Sequence, residues 1–339
     1  MLASGAALYG LLKGQTRLAR RRIPEAVPNE ALRRTTLWAA AGVSSARPPI
    51  RVAMLGDSTA VGHGVARERD TPGALLAIGI STVARRPVHL SNVGVIGAQS
   101  RDLEGQRALL RGHFDLAVIM IGANDVTHRV DAAEATRHLG GVVAALAGDG
   151  TEVVVGTCPD LGTVRPLSQP LRFVARRLSR TLAAAQTVAV VAAGGRTVSL
   201  GDLLGPLFAA DIDMFGADRF HPSERGYREA ANAMLPSCLD ALGLRTRARS
   251  ASAFTTRRPK AVAKAAAQAA AIPGSEVAAS SGSRAGPGRL GRNAAQLRRR
   301  RTTEPALDAA ATATARRIPD EPDQRASVST PEPDPHGRH

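Results

Sequence analysis

Short apolar runs alternate with stretches of helical periodicity between residues 50 and 242, and this alternation limits the fold more than any other feature of the chain. The apolar runs predict strands at 50–55, 88–93, 115–121, 152–157 and 196–200. The periodic stretches predict helices at 71–84, 102–111, 132–147, 170–193 and 223–242. Strands that alternate with helices form a parallel sheet covered by helices. The pattern therefore predicts an α/β fold with a parallel sheet of about five strands.

Residues capable of chemistry follow three of these strands. Ser58 follows the first strand, Gly97 the second and Asn124 the third. The carboxyl ends of parallel strands lie along one edge of the sheet, and ligands bind in the crevice there. We therefore expect these three residues to share one cleft.

Asp218 and His221 stand three residues apart near the end of the same region. In a helical turn or tight loop, this spacing lets the carboxylate accept the imidazole Nδ1 proton. A serine hydroxyl needs an imidazole to take its proton and a carboxylate to orient that imidazole. The pattern predicts Ser58 as the nucleophile, His221 as the base and Asp218 as the orienting acid. The predicted oxyanion donors are the backbone N–H groups of Ser58 and Gly97 and the side-chain amide of Asn124.

Four short blocks resemble the SGNH hydrolases, also called GDSL esterases and lipases, over about residues 50–240. They are Gly56-Asp57-Ser58, Gly97 five positions after Asn92, Gly122-x-Asn124-Asp125 and Asp218-x-x-His221-Pro222. The resemblance implies a flavodoxin-like three-layer α/β/α sandwich, the same triad and the same oxyanion donors. Thr59 departs from the Leu or Ile that often follows the serine in this family. The resemblance also implies a carboxylic ester substrate, which can be a small molecule, a lipid or an acetylated carbohydrate.

Each candidate also has a purely structural interpretation. Ser58 suits a helix N-cap, and Asn124 can cap the turn after its strand. Asp57 is expected to bond backbone amides of its own turn and is given no catalytic role. His63 is the main rival base, and His221 is preferred because no carboxylate partner can be named for His63.

No cofactor and no metal site are predicted. The glycine-rich turn at 56–64 lacks the Gly-x-Gly-x-x-Gly pattern, and the chain has no Gly-Lys-Ser or Gly-Lys-Thr. Cys158 and Cys238 are the only cysteines and lie far apart, and the eight histidines include no His-x-x-x-His pair. The alternative to an enzyme is a non-catalytic scaffold that binds surfaces through its basic tail. The complete Ser, Asn, His and Asp set argues against that alternative.

The chain is predicted to have three parts: an amphipathic basic segment at 1–47, the hydrolase domain at 48–244 and a tail at 245–339. The apolar stretch 2–12 is too short to span a membrane, and its basic residues follow it, unlike those of a signal peptide. This segment is expected to pack on the domain or to lie on an anionic membrane face. The predicted location is cytoplasmic, with peripheral membrane contact as an alternative.

The tail, residues 245–339, is predicted to be disordered because it has almost no large apolar residues. It holds 18 Lys and Arg against 8 Asp and Glu, a net +10 of the chain's +16. A solvated tail with at most weak contact to anionic membranes or nucleic acid is expected. The loops at 157–169 and 202–216 are expected to line the acyl pocket, but the sequence specifies neither the acyl length nor the oligomeric state.

Overall fold

The computed structural model describes residues 10–18, 21, 35–201, 204–244, 260–269, 275–279, 294–299 and 315–318. Within these ranges lie ten strands: β1 (Thr35–Ala39), β2 (Ile50–Gly56), β3 (Val88–Asn92), β4 (Leu116–Met120), β5 (Glu152–Gly156), β6 (Arg196–Val198), β7 (Lys260–Ala261), β8 (Ser275–Ala279), β9 (Ala294–Arg299) and β10 (Arg316–Ile318). They form one sheet in the order β10-β1-β3-β2-β4-β5-β6-β8-β9-β7.

The helices that cover the sheet are α1 (Ser58–Val61), α2 (Pro72–Ala84), α3 (Leu103–Arg107), α4 (Ala123–Thr127), α5 (Ala132–Gly148), α6 (Leu171–Ala192), α7 (Leu204–Ala210), α8 (Glu224–Ala241) and α9 (Val262–Ala269). Residues 10–18 are also helical. No helix in the described ranges is both long and apolar enough to cross a membrane.

The centre of the sheet is the parallel set β3-β2-β4-β5-β6. In chain order these strands run 2-1-3-4-5, which is the flavodoxin-like arrangement with its switch point beside β2. The predicted α/β class, the parallel sheet of five strands and the flanking helices are therefore confirmed.

Both faces of β2 are buried, as parallel sheets require. Val52 and Met54 face the side covered by α2 and α8, whereas Ala53 and Leu55 face the side covered by α5 and α6. Because alternate strand residues point to opposite faces, one short apolar run contributes to both layers of the core. Burial of both faces holds the carboxyl end of β2 in place, directly before the candidate nucleophile Ser58.

Helix α8 contains Pro236, a residue type that usually kinks or interrupts a helix. A proline in a helix removes one hydrogen bond and crowds the preceding turn. Here Leu235, Pro236 and Cys238 are all buried, and α8 packs against α2 and the sheet. This tertiary packing outweighs the local preference, and α8 runs unbroken from Glu224–Ala241.

The sheet also gains antiparallel strands at both edges. β1 lies in the predicted N-terminal segment 1–47, yet it pairs with β3. β8 lies in the predicted disordered tail, yet it pairs with β6, and Arg196 Nη1 lies 3.3 Å from the buried Glu276 Oε1. The side chains of α9 pack in a small apolar cluster with Val191 of α6.

The disorder prediction for 245–339 therefore does not hold for residues 260–269, 275–279, 294–299 and 315–318, which have regular structure. Low hydrophobicity prevents a segment from building its own core, but here small apolar side chains and the ion pairs Arg196–Glu276 and Arg317–Glu68 attach these residues to the domain. The rest of the tail lies outside the described residues. Its contact with anionic surfaces stays a prediction.

Candidate active site

The turn between β2 and α1 depends on Gly56. Its φ is +136°, and a Cβ at this position would overlap the carbonyl of Met120 in β4. Only glycine has no Cβ to clash at this close approach. The next residue, Asp57, donates its N–H to the same Met120 carbonyl at 3.1 Å. The turn thus sets Ser58 at the first position of α1, directly above the end of β2.

Asp57, and not Ser58, is the N-cap of α1, and it bonds a backbone amide of its own turn, as expected. Its Oδ1 accepts the N–H of Thr59 at 2.9 Å. Burial raises the pKa of Asp57 to about 6, although the Thr59 hydrogen bonds and the nearby His221 oppose this change. Asp57 therefore shapes the turn at the cost of keeping a carboxyl group in the core.

This burial should make stability depend on pH. Asp57 binds its proton more tightly in the folded state than in the unfolded state, so its contribution to stability is lost as the pH rises through about 6. A difference of roughly two in pKa corresponds to about 3 kcal/mol between pH 4 and pH 7. Asp57→Asn keeps an oxygen for the Thr59 N–H but cannot ionise, so it should remove this fall. Urea unfolding of both proteins between pH 4 and pH 7 measures it, and identical pH slopes would contradict the account.

The predicted triad is assembled in space. His221 Nε2 lies 3.0 Å from Ser58 Oγ, and His221 Nδ1 lies 2.6 Å from Asp218 Oδ2. Both Ser58 and His221 are 7% exposed, so the reacting hydroxyl is largely shielded from water yet reachable from one side. Residues 163 positions apart along the chain are thereby joined by one hydrogen bond.

Burial disfavours the charged form of Asp218, but hydrogen bonds from the His221 side chain and from the N–H groups of Phe220 and His221 outweigh it and lower its pKa to about 2. Both N–H groups lie 2.9 Å from Oδ1. An ionised carboxylate can only accept hydrogen bonds. Nδ1 of His221 must therefore donate, which leaves Nε2 of the neutral ring free to accept the Ser58 proton.

A tight loop holds Asp218 and His221 in this geometry. Gly216 donates its N–H to the His221 carbonyl at 2.8 Å, and Phe215 forms a β-bridge with Pro222. Arg219 sits between them with φ of +56°, the left-handed conformation that closes the loop. Ser223 then caps α8 by accepting the N–H of Gly226. Asp218 and His221, which are three residues apart, therefore meet in a tight loop and not in a helical turn.

His63, the rival base, lies beside His221 instead of replacing it. The two rings meet edge to face with centroids 4.5 Å apart. Burial is the main reason that the pKa of His63 is lowered, and the nearby His221 lowers it further. Its carbonyl accepts the Tyr227 hydroxyl at 2.7 Å, which ties the α1 turn to α8. His221, and not His63, forms the hydrogen bond with Ser58 Oγ.

The three predicted oxyanion donors border one cavity. Ser58 is the first residue of α1, so its N–H lacks an acceptor within the helix. Gly97 has φ of +81° and space around the position of a Cβ. Asn124 donates one amide hydrogen to the Ala98 carbonyl at 3.1 Å, which holds the side chain toward Gly97 and leaves its second hydrogen for a ligand.

Buried amide side chains that the sequence analysis missed hold the strand ends in place. Gln106 bonds both the N–H and the carbonyl of Gly56, at 2.8 and 2.9 Å. Gln186 accepts from the N–H of Cys158 and donates to the Ile121 carbonyl, at 2.7 and 3.0 Å. A glutamine on an amphipathic helix looks like a solvent-facing residue, so the sequence carries no signal for these two contacts.

Two further polar groups support the oxyanion side. Asp125 is buried and accepts both the N–H and the hydroxyl of Ser100, at 3.0 and 2.8 Å. Asn92 donates to the Ala60 carbonyl and accepts the N–H of Gly94, both at 3.0 Å. These bonds connect the loops after β2, β3 and β4. They explain the Asn92 and Asp125 positions of the sequence blocks as structural.

The catalytic cavity, as we call the cleft that contains Ser58, has a volume of about 280 Å³. Both loops expected to line an acyl pocket contribute to its wall. Its large apolar wall residues are Ile96, Leu161, Val164, Leu200, Phe208, Phe215 and Phe220. A small polar corner thus faces an apolar space, as in binding sites for small organic molecules.

Among the described residues, His63, Asp218 and His221 form the one group whose ligand atoms are close enough to hold a metal ion, within 4.8 Å of one another. Both ring nitrogens of His221 already bond to Ser58 and Asp218. A metal ion could bind His221 only if one of these two hydrogen bonds were broken.

The chain is similar in sequence to known ester-hydrolysing proteins. The GDSL-like Lipase/Acylhydrolase family matches residues 54–229. The "GDSL-like esterase Rv1075c" of Mycobacterium tuberculosis is 42% identical over 197 residues, which cover 57% of this chain and 63% of the relative. The alignment therefore spans less than two thirds of that protein.

Solved structures resemble the chain more distantly. A catalytic mutant of Axe2, an acetylxylan esterase from Geobacillus stearothermophilus, is 17% identical with a TM-score of 0.45, covering 60% of this chain and 99% of that one. LAE5, an alpha/beta hydrolase enzyme from the metagenome of Lake Arreo, is 21% identical with a TM-score of 0.44, covering 61% and 98%. Because the family match itself includes more than half of the chain, this protein belongs to the GDSL-like lipase/acylhydrolase family.

Proposed function

We propose that this protein hydrolyses carboxylic esters through an acyl-enzyme formed on Ser58. The observation that carries the proposal is the continuous hydrogen-bonded series Asp218, His221 and Ser58 at the wall of a cavity. The similarity to the GDSL-like esterase of M. tuberculosis supports the same reaction class.

In the first half-reaction, Ser58 Oγ forms a bond to the acyl carbon while His221 Nε2 takes the hydroxyl proton. The carbonyl electron pair moves onto oxygen, which gives a tetrahedral oxyanion. When that pair returns, the bond from carbon to the alcohol oxygen breaks, and His221 delivers its proton to the leaving alkoxide. The alcohol departs and the acyl group stays on Ser58.

In the second half-reaction, water takes the place of the alcohol. His221 removes a proton from the water as its oxygen bonds to the acyl carbon, and the second intermediate collapses with return of the proton to Ser58 Oγ. Asp218 remains ionised throughout, since its low pKa suits an orienting group rather than a proton carrier. The products are a carboxylic acid and an alcohol.

The oxyanion is assigned to the N–H groups of Ser58 and Gly97 and to the Asn124 amide. Preorganised donors stabilise developing charge without reorganising during the reaction. The bond from Asn124 to Ala98 supplies that preorganisation here, because it restricts the amide before substrate binds.

Turnover of p-nitrophenyl esters by the purified full chain tests the proposal. Release of p-nitrophenol should continue over many turnovers, and added hydroxylamine should divert the acyl group to a hydroxamate because it competes with water for the acyl-enzyme. A panel of increasing acyl length with acetylated sugars beside it would define the substrate. Absence of turnover with every ester of that panel would contradict the proposed function.

A further inference from the structure

A second cavity, which we call the distal cavity, adjoins the catalytic cavity and has a volume of about 450 Å³. Leu161 and Phe220 line both cavities. Phe220 directly precedes His221, and its ring lies 4.9 Å from the imidazole. Leu161 and Phe220 therefore form a wall that the two cavities share.

The shared wall of the two cavities belongs to one apolar cluster. Val126, Leu161, Val164 and Ala175 are buried members of that cluster, and Phe220 packs against it. Val126 lies on α4, the same short helix that carries Asn124. The wall between Asn124 and the distal cavity is therefore largely apolar.

The remaining lining is largely aliphatic, from Leu12, Leu167, Leu171, Val174 and Leu178. Its polar groups come from Thr16, Thr127, His128 and Arg129. The Thr127 hydroxyl and His128 Nδ1 both bond to the Asn124 carbonyl, at 3.2 and 2.9 Å. The Thr127 hydroxyl and His128 Nδ1 are therefore already hydrogen-bonded within the protein and are less available to a ligand.

One wall comes from the helical segment 10–18. The Gln15 side chain donates to the Gln169 carbonyl at 2.6 Å and accepts the N–H of Leu171 at 3.2 Å. This pair of bonds docks the segment on the start of α6, which places Leu12 over the cavity. The predicted packing of an N-terminal helix on the domain is thus seen for residues 10–18.

We propose that the distal cavity binds the far end of a long alkyl chain of the ester, so that the enzyme acts on esters with long alkyl chains as well as on acetyl esters. The inference rests on the proposed function. Ester recognition needs hydrogen bonds only at the reacting carbonyl, where Ser58, Gly97 and Asn124 supply them. The distal cavity is lined mostly by aliphatic side chains, so a hydrocarbon chain buries apolar surface there, whereas most hydroxyls of a sugar would lack hydrogen-bond partners.

Filling the distal cavity with a bulky side chain tests this inference. Val174→Trp should lower kcat/KM for p-nitrophenyl decanoate at least about tenfold and change that for p-nitrophenyl acetate less than about twofold, because a lost methylene contact in an apolar pocket costs that much. A second series, acetate esters of ethanol and decanol, shows whether the chain belongs to the acid or to the alcohol. Selective loss in either series supports the inference.

Val188→Trp is the matched control, because Val188 lies on α6 outside the cavity lining and is 38% exposed. Leu178→Trp is a second test at a lining position that is 44% exposed, and it covers the case in which Val174→Trp fails to fold. Folded cavity variants whose kcat/KM for the long-chain esters of both series equals the wild-type value would overturn the inference while leaving ester hydrolysis, and hence the proposed function, intact. Absence of turnover of every ester, short or long, by the wild-type protein would instead reject the proposed function.

Discussion

Replacing Ser58 with alanine is expected to lower kcat for p-nitrophenyl acetate at least about 10⁴-fold. The substitution removes the atom that bonds to the acyl carbon, so only binding and oxyanion stabilisation remain. His221 keeps its bond to Asp218, and Asp57 keeps its cap on α1 through Thr59. The fold should therefore persist, as circular dichroism and thermal unfolding will show.

The control for Ser58→Ala is Ser44→Ala, which removes an exposed serine hydroxyl ahead of β2. Its turnover should match the wild-type value. Hydrolysis at the wild-type rate by folded Ser58→Ala protein would rule out Ser58 as the nucleophile and would direct attention to another hydroxyl near His221.

Asn124→Ala is expected to lower kcat by about 10²- to 10³-fold with a smaller change in KM. The amide should bond the oxyanion more strongly than the ground-state carbonyl, so its loss is felt in the transition state. Steady-state kinetics with p-nitrophenyl acetate separates the two parameters.

The Asn124 result needs a stability measurement beside it, because the side chain also bonds to the Ala98 carbonyl. Loss of one such bond typically costs about 1 kcal/mol, which leaves a stable protein folded. A rise in KM alone would identify Asn124 as a binding residue. An unchanged kcat and KM would remove it from the oxyanion site.

The strand ends were predictable because strand periodicity and parallel topology together determine which loops meet. Ser58, Gly97 and Asn124 follow different strands, yet the rule for parallel sheets placed them in one cleft, and the structure finds all three in the catalytic cavity wall. The contact between Asp218 and His221 was predictable for a different reason. It is local, and three-residue spacing suffices for it.

The contacts that escaped prediction depend on side chains that meet only after folding. Gln106 and Gln186 lie on helices and form hydrogen bonds with strand ends that are 50 and 65 residues away in the sequence. Nothing in their local sequence indicates these contacts. The edge strands β1 and β8 were missed because edge pairing needs a neighbour rather than strong periodicity of its own. The distal cavity arises where α4, α6 and residues 10–18 meet, so no single segment indicates it.

Trapping the nucleophile with a fluorophosphonate tests the central claim most directly. Such a reagent phosphonylates an activated serine, and peptide mass spectrometry locates the adduct. We expect one phosphonyl group per chain on Ser58, loss of esterase activity in proportion to labelling, and no adduct on the Ser58→Ala protein. Complete inactivation with the adduct on a different residue, or full activity after stoichiometric labelling of Ser58, would contradict the account.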